Sequence, residues 1–367
     1  MKKISIVLPN LASGGAERLA VSLANDWLNR GFNVDLVLLS IENEPFLDLL
    51  DKRIFIVDLK VDRLRNAIFP LKNYFKSSKP DVIWSGLWPL TAISIVSWIL
   101  SGKIGRIYTI DHNQLSISTV KKLKISKYIV KLITRLLYPF ATGNMTVSEG
   151  VKRDLVNLTK LPEKSIRVIY NPAARGIGKK TSFSPEIKKK LWGDDPGKCI
   201  ISVGSLKDQK NFKLLIESFA SLKKEIKATL IILGEGPLRQ NLENQVSNFN
   251  LSHSASLPGF VKDPSPWLLT ADLFVLSSNW EGLPTVLIEA LDCGLPVVST
   301  DTPSGPSEIL ENGLWGVLVP PNNAELLLDG MKTSLSKTHD KKALMMRADD
   351  FSVENISLKY LDYFELL

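Results

Sequence analysis

The stretch Glu281-Gly282-Leu283-Pro284-Thr285-Val286-Leu287-Ile288-Glu289 sets two carboxylates eight residues apart around a predicted helix start. Upstream lies the apolar run Leu273 to Leu276, which reads as a strand. Pro284 suits a first helical turn, and the periodic apolar run that continues to Leu291 carries Glu289 on the second turn while Glu281 stays in the loop. The first N–H groups of such a helix have no intrahelical partner and lie at the positive end of its dipole. Gly282, Leu283, Pro284, Thr285 and Val286 therefore form a segment suited to a diphosphate. Phosphate in the middle leaves one acid for each end: Glu281 to accept hydrogen bonds from sugar hydroxyls and Glu289 from ribose hydroxyls. The competing interpretation is a capped core helix with two solvated acids. The rest of the chain decides between the two.

Length and composition favour two globular domains: 367 residues, 44% hydrophobic and 23% charged. Cys199 and Cys293, far apart, suggest neither a disulfide framework nor a metal-ligand spacing, which fits a reducing cytosol. The N-terminal run from Ile4 to Leu8 meets Pro9 and Asn10 too soon for a signal peptide and is read as a buried strand. Leu87 to Leu100 is too short to cross a bilayer, for which roughly 20 apolar residues are needed, and is read as a buried helix.

Short apolar strands alternate with helical patterns in both halves of the chain. They are expected near Ile4 to Leu8, Val34 to Leu39, Ile54 to Val57, Val82 to Trp84, Ile107 to Ile110 and Val168 to Tyr170. A second series follows near Ile200 to Val203, Thr229 to Leu233, Leu273 to Leu276, Val297 to Ser299 and Val317 to Val319. This is an α/β pattern of two Rossmann-like, doubly wound domains, residues 1–170 and 182–350. The segment 171–181, with Pro172, Gly176 and Gly178 and no apolar period, is read as the linker. Ligands in such sheets bind beyond the carboxyl ends of the strands, so the expected site lies in a cleft between facing domains. There Lys210, in the loop after the strand that ends near Gly204, would act as an electrostatic catalyst on a departing diphosphate. Gly14 and Gly15 follow the first strand and permit close approach of a ligand. Followed by Ala16 and Glu17, they do not make a dinucleotide fingerprint. No D-x-D pair occurs, which argues against a metal-bridged donor, so no metal and no cofactor are expected.

The E-x7-E segment, with Val203-Gly204-Ser205-Leu206 and Gln209-Lys210-Asn211-Phe212, resembles the retaining glycosyltransferases of family 4, which have the GT-B fold. Gly14-Gly15-Ala16-Glu17-Arg18 and Asp111-His112-Asn113 are similar to segments of bacterial members that build capsule, O-antigen and lipid-linked oligosaccharides. The resemblance implies a helix over residues 351–367 that crosses back to the first domain. It also implies an acceptor side at Gly14, Gly15, Glu17 and Asn113, with His112 beside the transferred sugar as a catalytic residue. The implied donor side includes Gly15, Gly204, Ser205, Gly236, Phe260 and Val261, the last pairing its backbone with the nucleobase, and Ser304 to Glu308 is a further donor-side segment. The implied reaction is a same-face displacement in which the departing phosphate oxygen helps deprotonate the acceptor. The donor would be a hexose or N-acetylhexosamine nucleotide, a UDP-sugar first. Where the family commonly has Arg after Val-Gly, this chain has Ser205, which supplies no guanidinium fork.

Net charge is +8, and no acidic residue occurs from Leu115 to Ser148. Lys121, Lys124, Lys127, Lys131 and Arg135 fall in a helical run whose other face carries Ile125, Tyr128, Ile129, Leu132, Ile133 and Leu136, a pattern able to lie in an anionic membrane surface. The expectation is therefore a peripheral enzyme on the cytoplasmic inner face of the plasma membrane, with a polyprenyl-diphosphate-linked or other lipid-linked glycan as acceptor. The rivals are a transferase with a soluble acceptor and a basic nucleic-acid-binding protein. The second lacks the interleaved aromatics that nucleic-acid binding needs, so no nucleic-acid partner is expected.

Overall fold

In the computed structural model, residues 1–11, 15–41, 44, 46–117, 126–181 and 185–367 are described. The chain divides into two units, Met1–Pro172 with Val353–Leu367, and Ala173–Ser352.

The first unit is built on a parallel sheet of order β3-β2-β1-β4-β5-β6-β7. Its strands are β1 (Lys3–Leu8), β2 (Asn33–Leu38), β3 (Phe55–Asp58), β4 (Val82–Gly86), β5 (Arg106–Asp111), β6 (Gly143–Thr146) and β7 (Ile166–Val168). The described α-helices are α1 (Gly15–Asn29), α2 (Ile68–Ser78), α3 (Leu90–Leu100), α4 (Lys127–Leu137) and α5 (Glu149–Thr159). A parallel strand inside such a sheet is covered on both faces, so β1, β2 and β4 are buried without alternation, with Ser5, Asp35 and Ser85 among their apolar residues. One face packs under α2, α3, α4 and α5 through Leu71, Phe75, Ile95, Val130 and Leu155. The strand expected at Val168 to Tyr170 lies two residues earlier, and β6 (Gly-Asn-Met-Thr) carries no apolar run that would reveal it.

In the second unit the order is β10-β9-β8-β11-β12-β13, again parallel. It uses β8 (Lys198–Val203), β9 (Ala228–Leu233), β10 (Ala255–Gly259), β11 (Leu273–Leu276), β12 (Val297–Thr300) and β13 (Val317–Val319). The helices are α6 (Ile177–Lys180), α7 (Pro185–Trp192), α8 (Phe212–Leu222), α9 (Arg239–Asn248), α10 (Ser265–Thr270), α11 (Thr285–Asp292), α12 (Pro306–Ile309), α13 (Ala324–Ser336) and α14 (Lys341–Asp349). Part of the expected linker belongs to this unit. The buried Asp292 carboxylate at the end of α11 accepts the N–H groups of Arg175, Gly176 and Ile177 at 2.8, 3.0 and 3.2 Å, and α6 follows.

The last helix, α15 (Val353–Tyr363), returns to the first unit. Its Tyr360, with Phe364 just beyond it, meets Trp27 of α1 edge-on at ring separations of 6.1 and 5.8 Å, and Tyr360 also meets Trp84 of β4 at 6.3 Å. Aromatic packing of this kind adds about 1 kcal/mol per pair beyond area burial. Among the described residues no helix is long and apolar enough to cross a membrane.

Candidate functional site

The order of each sheet reverses beside its first strand. In the second unit the reversal lies between β8 and β11, and ligands of doubly wound sheets settle at the carboxyl ends of such strands. The loops that leave these two strands carry Lys210 and Glu281. Their side chains meet there, Lys210 Nζ lying 2.7 Å from Glu281 Oε1. Glu281 is 6% exposed, and it also accepts from Ser278 Oγ at 2.6 Å and, on Oε2, from Gln209 Nε2 at 3.3 Å. A carboxylate removed from water needs such partners. Sequence reasoning gave Lys210 and Glu281 separate tasks and missed both their pairing and the supporting Ser278 and Gln209. A serine three residues before the glutamate was the available signal.

The two loops are fastened by main-chain contacts. Asn279 N–H donates to Gln209 O at 2.8 Å, Asn279 Nδ2 to Asp208 O at 2.7 Å, and Ser277 Oγ to Lys210 O at 2.8 Å. Beside them the β9 loop packs backbone on backbone. A Cβ on Gly234, whose φ is +146°, would lie 2.0 Å from Gly204 O, and one on Gly236 would lie 2.6 Å from Leu206 O. Glycine is required at both positions by this approach. Ser205, at the tip, is exposed. Gly259 closes β10, Phe260 and Val261 follow it, and Phe260 is 59% exposed.

Helix α11 starts at Thr285, with Pro284 as its N-cap rather than inside its first turn. Ser304 Oγ donates to Gly282 O at 2.7 Å, and a Cβ on Gly305 would lie 2.6 Å from Pro284 Cδ, so the segment 304–305 buttresses the turn Gly282-Leu283-Pro284. Thr285 and Val286 are half-buried at the helix tip, where unpaired N–H groups and the dipole favour an anion. Glu289 follows on the second turn, buried.

In the first unit His112 sits just past β5. It is 8% exposed, neither ring nitrogen makes a hydrogen bond among the described residues, and burial pushes its pKa down to about 4, opposed in part by the nearby Asn171 side chain. The imidazole is therefore neutral at pH 7. It meets the Trp84 ring edge-on at 6.2 Å, and a Cβ on Gly86 would lie 3.5 Å from Nε2, which places the end of β4 beside the histidine. Asn113 is half-buried, Gly15 opens α1 at the surface, and Glu17 is half-buried in the first turn. Gly14 lies outside the described residues, as do Lys121, Lys124 and Ile125.

Helix α4 carries Lys127, Lys131 and Arg135, all exposed. The domain holds it through Val130 and Thr134, which are buried. The expected apolar face is turned outward: Tyr128 is 72% exposed, Leu132 58%, Leu136 59% and Ile129 50%. An ordinary surface helix would hide that face.

Comparison with known proteins agrees with this architecture. Residues 13–173 match the family described as Glycosyltransferase Family 4 and residues 183–349 the family described as Glycosyl transferases group 1. A Campylobacter jejuni protein named N-acetylgalactosamine-N,N'-diacetylbacillosaminyl-diphospho-undecaprenol 4-alpha-N-acetylgalactosaminyltransferase is 28% identical over 98% of this chain and 100% of its own length. The amylovoran biosynthesis glycosyltransferase of Erwinia amylovora is 25% identical over 99% of each chain. Among solved structures, the Anabaena protein HepE in complex with UDP superposes with a TM-score of 0.83 at 18% identity over 100% of both chains. Fold and site thus define a glycosyltransferase of the GT-B class. The chain belongs to glycosyltransferase family 4.

Proposed function

We propose that this glycosyltransferase is a retaining, metal-independent enzyme that moves a hexose or N-acetylhexosamine from a nucleotide sugar, a UDP-sugar first, to a lipid-linked glycan. The observation that carries the proposal is the Lys210–Glu281 pair at the β8/β11 reversal, next to the tip of α11. A diphosphate at that tip draws the Lys210 ammonium toward itself, and the attraction grows as negative charge develops on the leaving group. The same movement frees Glu281 Oε1 for a sugar hydroxyl, with Ser278 and Gln209 holding the carboxylate in place. Glu289 takes the ribose, and the exposed Phe260 and the Val261 backbone take the base. His112, neutral and unbonded, positions the sugar on the acceptor side with Gly15, Glu17 and Asn113. Two Campylobacter jejuni relatives named for transfer of N-acetylgalactosamine to undecaprenol-linked acceptors, 28% and 26% identical over nearly the whole chain, support such an acceptor here.

The outward face of α4 supports a membrane-borne acceptor. Its four exposed apolar side chains would each contribute up to about 2 kcal/mol on full burial, and its three cations about 1 kcal/mol each near an anionic surface. Both terms support a reading in which the enzyme works on the inner face of the plasma membrane. The test is transfer from a panel of UDP- and GDP-sugars to an undecaprenyl-diphosphate-linked glycan in vesicles, with chelator present. Turnover that strictly needs added magnesium or manganese would contradict the metal-independent mechanism, and no turnover with any donor would contradict the assignment.

A further inference from the structure

Asp111 ends β5 and is 1% exposed. Its Oδ1 accepts from the Tyr138 hydroxyl at 3.2 Å, while Oδ2, also buried, has no hydrogen-bond partner among the described residues. The Tyr138 hydroxyl is 2.9 Å from Thr91 Oγ1 of α3, and the Tyr138 carbonyl accepts from Asn144 Nδ2 of β6 at 3.2 Å. Tyr138 is fully buried and is the residue immediately after α4, so this phenol pins the end of α4 to the sheet. Strand alternation turns Asp111 and its neighbour His112 to opposite faces: Asp111 toward Tyr138, His112 toward Trp84. Any shift of Tyr138 therefore acts on the main chain that carries the histidine. Buried polar groups are normally paired, and a carboxylate oxygen kept dry and unpaired is a costly feature for a fold that needed only a packing residue there.

We propose that Tyr138 and Asp111 are positioning residues for His112, a buried link through which the seating of α4 sets the placement of the histidine. That the seat of α4 is a lipid surface rests on the function proposed above; the link itself does not. The titratable groups facing Asp111 are the Tyr138 phenol and Asp154 of α5; His112, next in the chain, points to the opposite face. Asp154 raises the Asp111 pKa further, and its own carboxylate is held by Ser116 N–H at 3.1 Å and Ser116 Oγ at 2.5 Å. Burial pushes Asp111 up to about 7, so the link changes charge near neutrality.

The test is histidine-selective NMR on the full chain, whose three histidines, His112, His253 and His339, are assigned with the variants His253→Gln and His339→Gln. The His112 signal should show its own titration near pH 4 and a second, smaller step near pH 7 as Asp111 ionises. Asp111→Asn should abolish the second step, and Tyr138→Phe should displace it. Bicelles containing phosphatidylglycerol should shift the wild-type His112 signal but leave that of Tyr138→Phe in place, with equal binding by sedimentation. In transfer assays Tyr138→Phe should lower kcat roughly tenfold or more with the KM for the nucleotide sugar within about twofold, as misplacement of a positioned group does. No step near pH 7 in the wild type, a step that survives in Asp111→Asn, or equal bicelle shifts in wild type and Tyr138→Phe would overturn the link. Bicelles that fail to bind overturn the membrane assignment alone, and the pH steps still decide the link.

Discussion

Replacing Asp111 with Asn should change how the stability of the protein depends on pH. The folded carboxyl is raised from 3.8 to about 7, chiefly by burial. A raised carboxyl is neutral in both states below about pH 4. Above that the unfolded chain ionises first, so the native state loses stability progressively until pH passes about 7. With about 1.4 kcal/mol per pH unit, a gap of roughly 3 units amounts to about 4 kcal/mol lost between pH 4 and pH 8. The amide cannot ionise and therefore escapes this loss, while its NH2 carries a fixed cost of about 1–3 kcal/mol if left unpaired. The informative quantity is thus the pH dependence of the difference between variant and wild type, from which any constant offset drops out. Melting followed by near-ultraviolet circular dichroism should show Asp111→Asn gaining on wild type by roughly 10 °C as pH rises from 4 to 8, given about 2–4 °C per kcal/mol for units of this size. A difference in melting temperature that stays constant over that range would refute the buried, unpaired carboxylate on which the reasoning stands.

Three further outcomes follow from particular contacts. Leu132→Glu, on the exposed face of α4, should weaken sedimentation with phosphatidylglycerol vesicles at least tenfold and leave the melting temperature within about 2 °C, because Leu132 is 58% exposed. Gly234→Ala should lower stability by about 3 kcal/mol or more in urea unfolding, since a methyl 2.0 Å from a carbonyl oxygen forces the β8 and β9 loops apart; a loss below about 1 kcal/mol would mean that the loops yield freely. Ser205→Arg, at the exposed tip of the β8 loop, should tighten nucleotide-diphosphate binding several-fold by calorimetry if the native grip lacks a guanidinium fork, whereas unchanged affinity would assign that task to Lys207 or to Ser205 itself.

Much of the fold was legible in the sequence because parallel strands covered on both faces are rich in apolar residues. β1, β2, β4, β8, β9 and β11 stand out for that reason. The two strands that escaped notice, β6 and β10, are written Gly-Asn-Met-Thr and Ala-Ser-Leu-Pro-Gly, where tertiary pairing overrides composition. The placement of the candidate residues was legible through spacing: Lys210, Glu281 and Glu289 fall on loops and a helix that the strand pattern already ordered. The site's internal bonding was not. The meeting of Lys210 and Glu281 spans 71 residues of sequence, and the Tyr138–Asp111 contact 27, and no local period carries such information. The same applies to α4. Periodicity separates an apolar face from a basic one, yet burial of Val130 and Thr134 decides that the apolar face looks outward.

The account centres on a diphosphate held between Lys210 and the tip of α11, with Glu281 on the sugar. Calorimetric binding of UDP and GDP beside turnover of their sugars, in Lys210→Ala and in Glu281→Gln, tests it most directly. Lys210→Ala should weaken the nucleotide diphosphate at least tenfold and lose transfer. Glu281→Gln should keep diphosphate affinity within about threefold of wild type while losing transfer by 100-fold or more, the signature of a contact made to the sugar. Near-native transfer by either variant, with both chains folded, would contradict the account.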